Sequence, residues 1–154
     1  MAVEIRVLRS GDESFLSNVA PEVFDNPINR DFTREFLQDP RHHIAVAIDT
    51  GVVVGFASGV HYVHPDKAPE MFINEVGVAP THRRRGVGRE VLLALLRVAR
   101  SHKCANAWVL TDETNEAAVA LYTSVGGTEG AESNTGLNDR ILGYSFELDR
   151  VDDR

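Results

Sequence analysis

Residues 71–88 read MFINEVGVAPTHRRRGVG and join an apolar run to a basic turn that contains two glycines. The apolar run, residues 71–78, predicts a strand that is ended by Pro80. The turn opens a predicted helix over 86–102, in which apolar residues recur at helical spacing. Free N–H groups converge at a helix N-terminus, and the helix dipole adds partial positive charge there. The stretch therefore predicts an anion site, of the kind that holds a phosphate group.

Two common nucleotide-binding motifs do not fit this turn. A P-loop needs a lysine and a hydroxyl residue directly after its last glycine, and neither follows Gly88. A dinucleotide-binding fingerprint needs a third glycine or alanine where this chain has Val91, and an acid at the end of a second strand. A basic helix start with two turn glycines and no ligand is the alternative at this point.

The rest of the chain alternates predicted strands and helices around this stretch. Asp49-Thr50-Gly51 separates two β-branched runs and predicts a hairpin. We expect strands over 3–8, 44–48, 52–60, 107–111 and 141–148, helices from 13 to 24 and over 29–38 and 115–125, a loop over 61–69 and a polar segment over 128–140. No repeat or linker interrupts this order. The sequence thus predicts one α/β domain over residues 1–154 with a mixed sheet.

The composition excludes several classes of protein. With 154 residues, 43% of them hydrophobic, the chain can bury a core and is not expected to be disordered. No apolar run is long enough to cross a membrane, and the first residues lack the pattern of a secretory signal. The single cysteine, Cys104, excludes an internal disulfide and a cysteine-based zinc site. We expect a cytoplasmic protein with no membrane partner.

Charge is distributed unevenly along the chain, whose formal net charge is −7. Residues 82–103 contain seven basic residues and one acid, a local net charge of +6, whereas the remainder carries −13. Such a chain can hold a polyanion at the basic segment and attract a cation elsewhere. A nucleic-acid partner is not expected, because the net charge is negative and the arginines lack interleaved aromatic residues.

Two segments resemble the motifs of one enzyme family. Residues 75–88 follow the pattern Glu-Val-Gly-Val-Ala-Pro-x2-Arg-x2-Gly-x-Gly, which resembles the signature of the GNAT N-acetyltransferases. Residues 115–126, Asn-Glu-Ala-Ala-x-Ala-Leu-Tyr-x3-Gly, resemble the second motif of that family. The two motifs stand in the family's order with a predicted strand between them. The resemblance implies a single GNAT-like α/β domain, with a mixed, mostly antiparallel sheet flanked by helices.

The resemblance also implies acetyl-CoA as co-substrate and direct acetyl transfer to an amine, without a covalent acyl-enzyme. By this analogy the backbone amides of residues 84–89 hold the pyrophosphate, and main-chain groups of Val76 and Val78 hold the pantetheine arm as a further strand would. The residues expected to bind the cofactor are Val76, Val78, Arg83, Arg84, Arg85, Gly86, Val87, Gly88, Arg89 and Asn115. A homodimer is a further expectation from the family.

Acetyl transfer to an amine requires two proton movements. The acceptor ammonium must lose a proton before it attacks, and the departing thiolate must gain one. Tyr122 is the candidate acid, because a phenol is protonated at neutral pH and because it lies two helical turns from Asn115 on the same predicted face. Glu75 is the candidate base, directly or through a water, because it is an acid inside an apolar strand, beside a bulge expected near Val76 and Gly77. A core-facing tyrosine and a solvent-facing glutamate are the alternatives.

Within the family, the chain resembles the type I aminoglycoside 3-N-acetyltransferases, on VLTD at 109–112 and on residues 115–123. This implies an aminoglycoside acceptor, acetylated at its 3-amino group, and antibiotic resistance as the outcome. A polycationic acceptor suits an acidic cleft, to which we assign Glu75, Asp112 and Asp139 as substrate-binding residues. A polyamine, a protein lysine or an N-terminal amine would suit the same cleft, and a non-catalytic acetyl-CoA sensor is a further alternative.

No metal is expected from the histidine pattern. The six histidines show no two-turn spacing with a carboxylate partner. His61 and His64 fall in the predicted loop over 61–69, where we expect exposed side chains.

Overall fold

A computed structural model describes residues 3–130 and 141–148 of the chain. Within these residues there are seven strands and three α-helices, which we number in chain order. The strands are β1 (Glu4–Val7), β2 (His42–Asp49), β3 (Val52–Tyr62), β4 (Glu70–Val78), β5 (Asn106–Asp112), β6 (Thr128–Glu129) and β7 (Ile141–Glu147). The helices are α1 (Arg30–Gln38), α2 (Val87–Ser101) and α3 (Glu116–Ser124).

The described strands form one sheet in the order β1-β2-β3-β4-β5-β7-β6. Every neighbouring pair is antiparallel except β4 and β5, which run parallel. Helix α2 connects these two parallel strands and packs across β2, β3 and β4. The α/β class and the mixed, mostly antiparallel sheet are therefore confirmed.

Local signals in the sequence account for most of the element boundaries. The side chain of Asn29 accepts a hydrogen bond from the backbone N–H of Phe32 (3.0 Å) and caps α1. Thr50 and Gly51 both have positive φ, as the tight β2–β3 turn requires. The apolar stripe of α2 is fully buried at Val91, Leu92, Leu95 and Leu96 and forms much of the core.

The helix expected before residue 24 is absent from the structure. A short 3-10 turn covers Glu13–Ser17, and beyond it the N–H of Ala20 donates to the carbonyl of Val53 (2.9 Å). Pro21 then removes the next N–H donor. The apolar spacing of this segment was misleading, because its backbone hydrogen bonds are made to β3 rather than within a helix.

Two further boundaries differ from expectation. Strand β3 continues through Tyr62, because His61 pairs with Met71 across the sheet. His61 is therefore a strand residue, and the predicted loop begins two residues later than expected. The short strand β6 lies at the start of the segment 128–140, in which no strand was expected, and it pairs with β7.

Strand β4 contains a bulge, two residues before the expected position. Ser58 lies opposite Glu75 and Gly59 opposite Ile73, so that Asn74 is the extra residue. The bulge thus directly precedes Glu75 instead of lying near Val76 and Gly77.

No helix in the described part of the chain has the length and apolar character that crossing a bilayer demands.

Candidate active site

The parallel strands β4 and β5 separate along their length. Their pairing covers three positions, ending at Phe72 opposite Trp108. Beyond this point β4 continues to Val78 with β3 as its partner on one side, while β5 pairs with β7. Among the described residues, no strand pairs with the β5-facing edge of residues 73–78, so an extended ligand could add to it as a strand does. Val76 and Val78, predicted to contact a pantetheine arm, both lie in this segment.

The turn between β4 and α2 has backbone features that suit an anion-binding site. Gly86, the residue before the helix, has φ +80° and supplies no side-chain cap to the first N–H groups of α2. Arg84 also has a positive φ of 61°. These uncapped donors, together with the helix dipole, fit the pyrophosphate of a CoA molecule, with Val87, Gly88 and Arg89 providing the following amides.

Gly88 is the point at which three elements meet. A Cβ atom at this position would lie 3.4 Å from Cγ2 of Val78 and 3.5 Å from Cδ2 of Leu121. The end of β4, the start of α2 and one face of α3 are therefore adjacent. The two sequence motifs, which are separated along the chain, come together around the opening between β4 and β5.

The basic side chains of the turn have partners on neighbouring elements. Nε of Arg83 donates to the carbonyl oxygen of Val78 (3.4 Å). Nε2 of His82 lies 2.7 Å from Oδ2 of Asp49 in the β2–β3 turn. The hydrogen bond with His82 is the main cause that lowers the pKa of the Asp49 carboxyl, and the charge of Arg85 adds a smaller contribution. The His82–Asp49 pair links the predicted anion-binding turn to the hairpin, and the sequence did not predict this contact.

Tyr122 is buried, with 5% of its surface exposed. Its ring packs against Tyr144 and Phe146 of β7, at centroid distances of 5.7 and 6.3 Å. Burial raises the pKa of this phenol above its usual value of 10.0, so it carries a proton at neutral pH. It is both a core tyrosine and a protonated donor.

Two predicted site residues at the β5–α3 junction have local structural roles. Oδ1 of Asn115 accepts from the N–H of Ala118 (3.0 Å) and caps α3. Oδ1 of Asp112 accepts from both the N–H and the hydroxyl of Thr114, at 2.8 and 2.7 Å. Asp112 therefore stabilises the loop that leads into α3, and it does not line the large cleft described below.

Glu75 lies on β4 directly after the bulge, and part of its surface is in contact with solvent. Partial burial, followed by the negative charge of Asp25, raises the pKa of its carboxyl above the ordinary 4.5. Asp25 belongs to no recognisable sequence motif, and only the fold brings its charge close enough to act on Glu75. An acid with a raised pKa beside an open strand edge is suited to accept a proton from an incoming ammonium group.

A cleft of about 1230 Å³ lies over residues 10–38. Phe24 forms part of its wall and stacks on Phe56 of β3 at 4.0 Å, which fixes the wall to the sheet. The charged residues that line the cleft are Glu13, Glu22, Asp25, Arg30 and Arg34. Since Asp25 belongs to this lining and acts on Glu75, the cleft and the candidate base adjoin. Asp139, the third predicted substrate-binding residue, lies outside the described residues.

Curated relatives share part of the sequence. The chain is 39% identical to N-alpha-acetyltransferase RimI of Mycobacterium tuberculosis over 95 residues, which is 62% of this chain and 57% of that protein. It is 33% identical to a mycothiol acetyltransferase of Thermobispora bispora over 137 residues, covering 82% of this chain and 46% of the relative. The chain thus spans about half the length of the curated relatives it matches.

A solved structure shares the fold. An aminoglycoside acetyltransferase from an uncultured soil metagenomic sample superposes with a TM-score of 0.70. The superposition covers 85% of this chain and 95% of that one, at 21% identity. At this identity the likeness extends to the fold alone. The family model described as "Acetyltransferase (GNAT) family" matches residues 12–126, which include both motifs, most of the cleft lining and the opening between β4 and β5. The chain therefore belongs to the GNAT acetyltransferase family.

Proposed function

We propose that this chain transfers the acetyl group of acetyl-CoA directly to a primary amine that enters through the cleft over residues 10–38. The observation that carries the proposal is the position of Glu75, an acid of raised pKa next to the cleft and on the open edge of β4. Family membership supports acetyl-CoA as the donor. The uncapped start of α2 and the β4–β5 opening supply the two features that the donor needs, an anion site and an open strand edge.

Each of the site residues has a separate role in this proposal. Acetyl-CoA, when bound, supplies an acyl group activated as a thioester. The amides that follow Gly86 bind its pyrophosphate, and the main chain at Val76 and Val78 orients its extended arm. The carboxylate of Glu75 accepts the proton of the acceptor ammonium, directly or through a water. Oη of Tyr122 holds the proton that the departing sulfur requires.

We propose the α-amino group of a peptide as the acceptor. The lining of the cleft is mixed: Glu13, Glu22 and Asp25 are acidic, whereas Arg30 and Arg34 are basic. A peptide N-terminus combines an ammonium group with carbonyl oxygens, so it can use both kinds of side chain. The relative named N-alpha-acetyltransferase supports this choice.

An aminoglycoside acetylated at its 3-amino group is the second candidate acceptor. Together with Glu75, the acids around the cleft outnumber the two arginines, which favours a polycation. Such an acceptor would present several ammonium groups and no anion, so Arg30 and Arg34 would have to turn toward solvent. For this reason we rank it after the peptide.

The acceptor can be identified by a panel of amines. CoA release from acetyl-CoA would be read with a thiol reagent, and product mass would be measured. The panel holds short peptides with a free N-terminus, the same peptides with a blocked N-terminus and an internal lysine, an aminoglycoside and a polyamine. An enzyme-only control corrects for Cys104, which is buried.

We expect turnover with the free peptides and none with the blocked ones. Turnover with the aminoglycoside alone would replace the peptide by the second candidate and leave acetyl transfer intact. If acetyl-CoA bound but no amine were acetylated, the transfer proposal would fail in favour of an acetyl-CoA sensor.

A further inference from the structure

Three histidines from three different elements meet at one end of the molecule. His43 belongs to β2, His61 to β3, and His102 is the residue that ends α2. One ring nitrogen of each lies within 4.8 Å of the others. Nε2 of His43 and Nδ1 of His61 are 2.7 Å apart, and the three ring centroids are separated by 4.5 to 5.0 Å.

This group, the histidine cluster, is remote from the anion-binding turn. The turn lies at the N-terminus of α2 and the cluster at its C-terminus. A helix of 15 residues is about 22 Å long, at a rise of 1.5 Å per residue. The cluster is therefore far from the proposed pyrophosphate site, and the proposed acetyl transfer assigns it no role.

The spacing of the nitrogens is close to that of a metal site. Nitrogens bound at about 2.0–2.1 Å to a tetrahedral ion lie about 3.4 Å apart. The closest pair would open from 2.7 Å, and the widest separation would close from at most 4.8 Å. The rings would have to rotate for their in-plane lone pairs to converge on one point. His61 is partly exposed and His102 is exposed, so both rings have room to turn and an ion has a path from solvent.

Burial favours the neutral form of two of the three rings. Burial, followed by the charges of His102 and His61, lowers the pKa of His43 to about 4, so it is neutral at physiological pH. Burial is also the main cause that lowers the pKa of His61. If both nitrogens bound a metal ion, the hydrogen shared by Nε2 of His43 and Nδ1 of His61 would move to the other nitrogen of its ring.

The cluster also lies within the field of a carboxylate. Asp39, at the end of α1, acts electrostatically on both His43 and His61, whereas Arg41 acts on His61 in the opposite sense. Three protein nitrogens leave one position of a tetrahedral ion for water or a carboxylate oxygen. A nearby negative charge offsets part of the charge of a divalent ion.

We propose that His43, His61 and His102 bind one divalent transition-metal ion of the zinc class. Imidazole ligands suit zinc, copper and nickel. The ion would fasten the C-terminal end of α2 to β2 and β3. Because the three ligands converge only in the folded chain, binding would stabilise the folded state.

The proposal can be tested by zinc binding to untagged, metal-free protein. Zn²⁺ would be titrated in competition with a chromophoric chelator, and Co²⁺ absorption would report coordination geometry. The variants are His61→Gln and His102→Gln, with His64→Gln as the matched control. His64 hydrogen-bonds to Glu70 at 2.9 Å and lies outside the cluster. His102 is exposed, so its replacement is not expected to impair folding.

We expect one Zn²⁺ per chain, a rise in Tm with Zn²⁺, and the intense Co²⁺ absorption of a tetrahedral site. Each cluster variant should weaken binding at least ~10-fold and abolish the Tm rise, while the control behaves as the unmodified chain. Equal Zn²⁺ affinity in His102→Gln and the unmodified chain would overturn the proposal. So would an absence of binding at micromolar Zn²⁺.

Discussion

Tyr122 and Tyr144 are two buried tyrosines in ring contact, and only one of them is assigned a role in the chemistry. Both are 5% exposed, and their centroids are 5.7 Å apart. Replacing either by phenylalanine removes a hydroxyl and keeps the apolar ring. The pair therefore separates the effect of a catalytic hydroxyl from that of core packing.

Tyr122→Phe should lower kcat by about 100-fold, because a positioned general acid contributes roughly 10²–10⁴-fold. The KM for acetyl-CoA should change little, since the pyrophosphate is held by backbone amides. Steady-state kinetics of both variants provide the measurement, with Tyr144→Phe expected to keep the kcat of the unmodified enzyme. A normal kcat in Tyr122→Phe would remove the hydroxyl from the mechanism.

Glu75→Gln should lower the rate by roughly 100-fold, with partial recovery at higher pH, where more acceptor is already deprotonated. In the unmodified enzyme the rate should fall as acidification approaches the pKa of Glu75, which is raised above 4.5 by burial and by Asp25. A pH–rate profile measures both effects. If the rate of Glu75→Gln fell with acidification as it does in the unmodified enzyme, Glu75 would not be the general base.

The raised pKa of Glu75 has a second consequence, for stability. A raised folded-state pKa means that folding favours the protonated form of Glu75. The protonated carboxyl therefore contributes stability below pH ~4, and this contribution is lost as the pH rises through the folded-state pKa. Glu75→Gln should therefore have a higher Tm than the unmodified chain at pH 7 and an equal Tm near pH 4. The acid would then cost stability in order to serve the chemistry.

At the scale of elements, β4 is held between the sheet and the cleft wall. A Cβ atom at Gly77 would overlap the carbonyl oxygen of Val23 and lie 2.8 Å from Cε1 of Phe56. The same atom at Gly88 would make ordinary contacts at 3.4 and 3.5 Å. The two glycines therefore differ: close packing requires a glycine at position 77, whereas at position 88 we propose that the glycine gives an anion access to the backbone.

Gly77→Ala should destabilise the fold by about 1–3 kcal/mol, because the wall or the strand must move. Gly88→Ala should keep its Tm, or raise it slightly, since alanine favours a helix. The added methyl group at 88 should instead raise the KM for acetyl-CoA. Thermal unfolding and acetyl-CoA titration of both variants test this contrast, and a similar loss of Tm in both would refute it.

For the whole molecule, the uneven charge distribution places +6 on residues 82–103 of a chain whose net charge is −7. An anionic cofactor that binds there stabilises the folded state by mass action. Acetyl-CoA at 100 times its Kd should add about 2.7 kcal/mol, a rise in Tm of roughly 5–10 °C.

The Tm rise should shrink with salt, because exposed charges are screened beyond about 8 Å at physiological ionic strength. Acetyl-pantetheine, which lacks the nucleotide phosphates, is the matched ligand and should give a smaller, less salt-dependent rise. Scanning calorimetry at two ionic strengths measures this. Equal salt dependence for both ligands would show that the basic turn does not bind the phosphates.

Periodicity and turn residues were sufficient to predict most elements. The apolar stripe of α2, the Asp49-Thr50-Gly51 turn and the two asparagine caps are local signals, and each acts within a few residues. The segment 13–24 was mispredicted because Asn18 and Ala20 make their backbone hydrogen bonds to Val53 of β3, at a distance along the chain that periodicity does not reach.

The sequence alone determined the α/β class and the family and predicted an anion-binding turn, because these depend on spacing along the chain. Only the tertiary structure determined which ionisable side chains lie close together. Asp25 approaches Glu75, His82 pairs with Asp49, and the three histidines of the cluster converge from positions 43, 61 and 102. Such contacts depend on strand register and on the course of α2 across the sheet, and no short-range pattern encodes either.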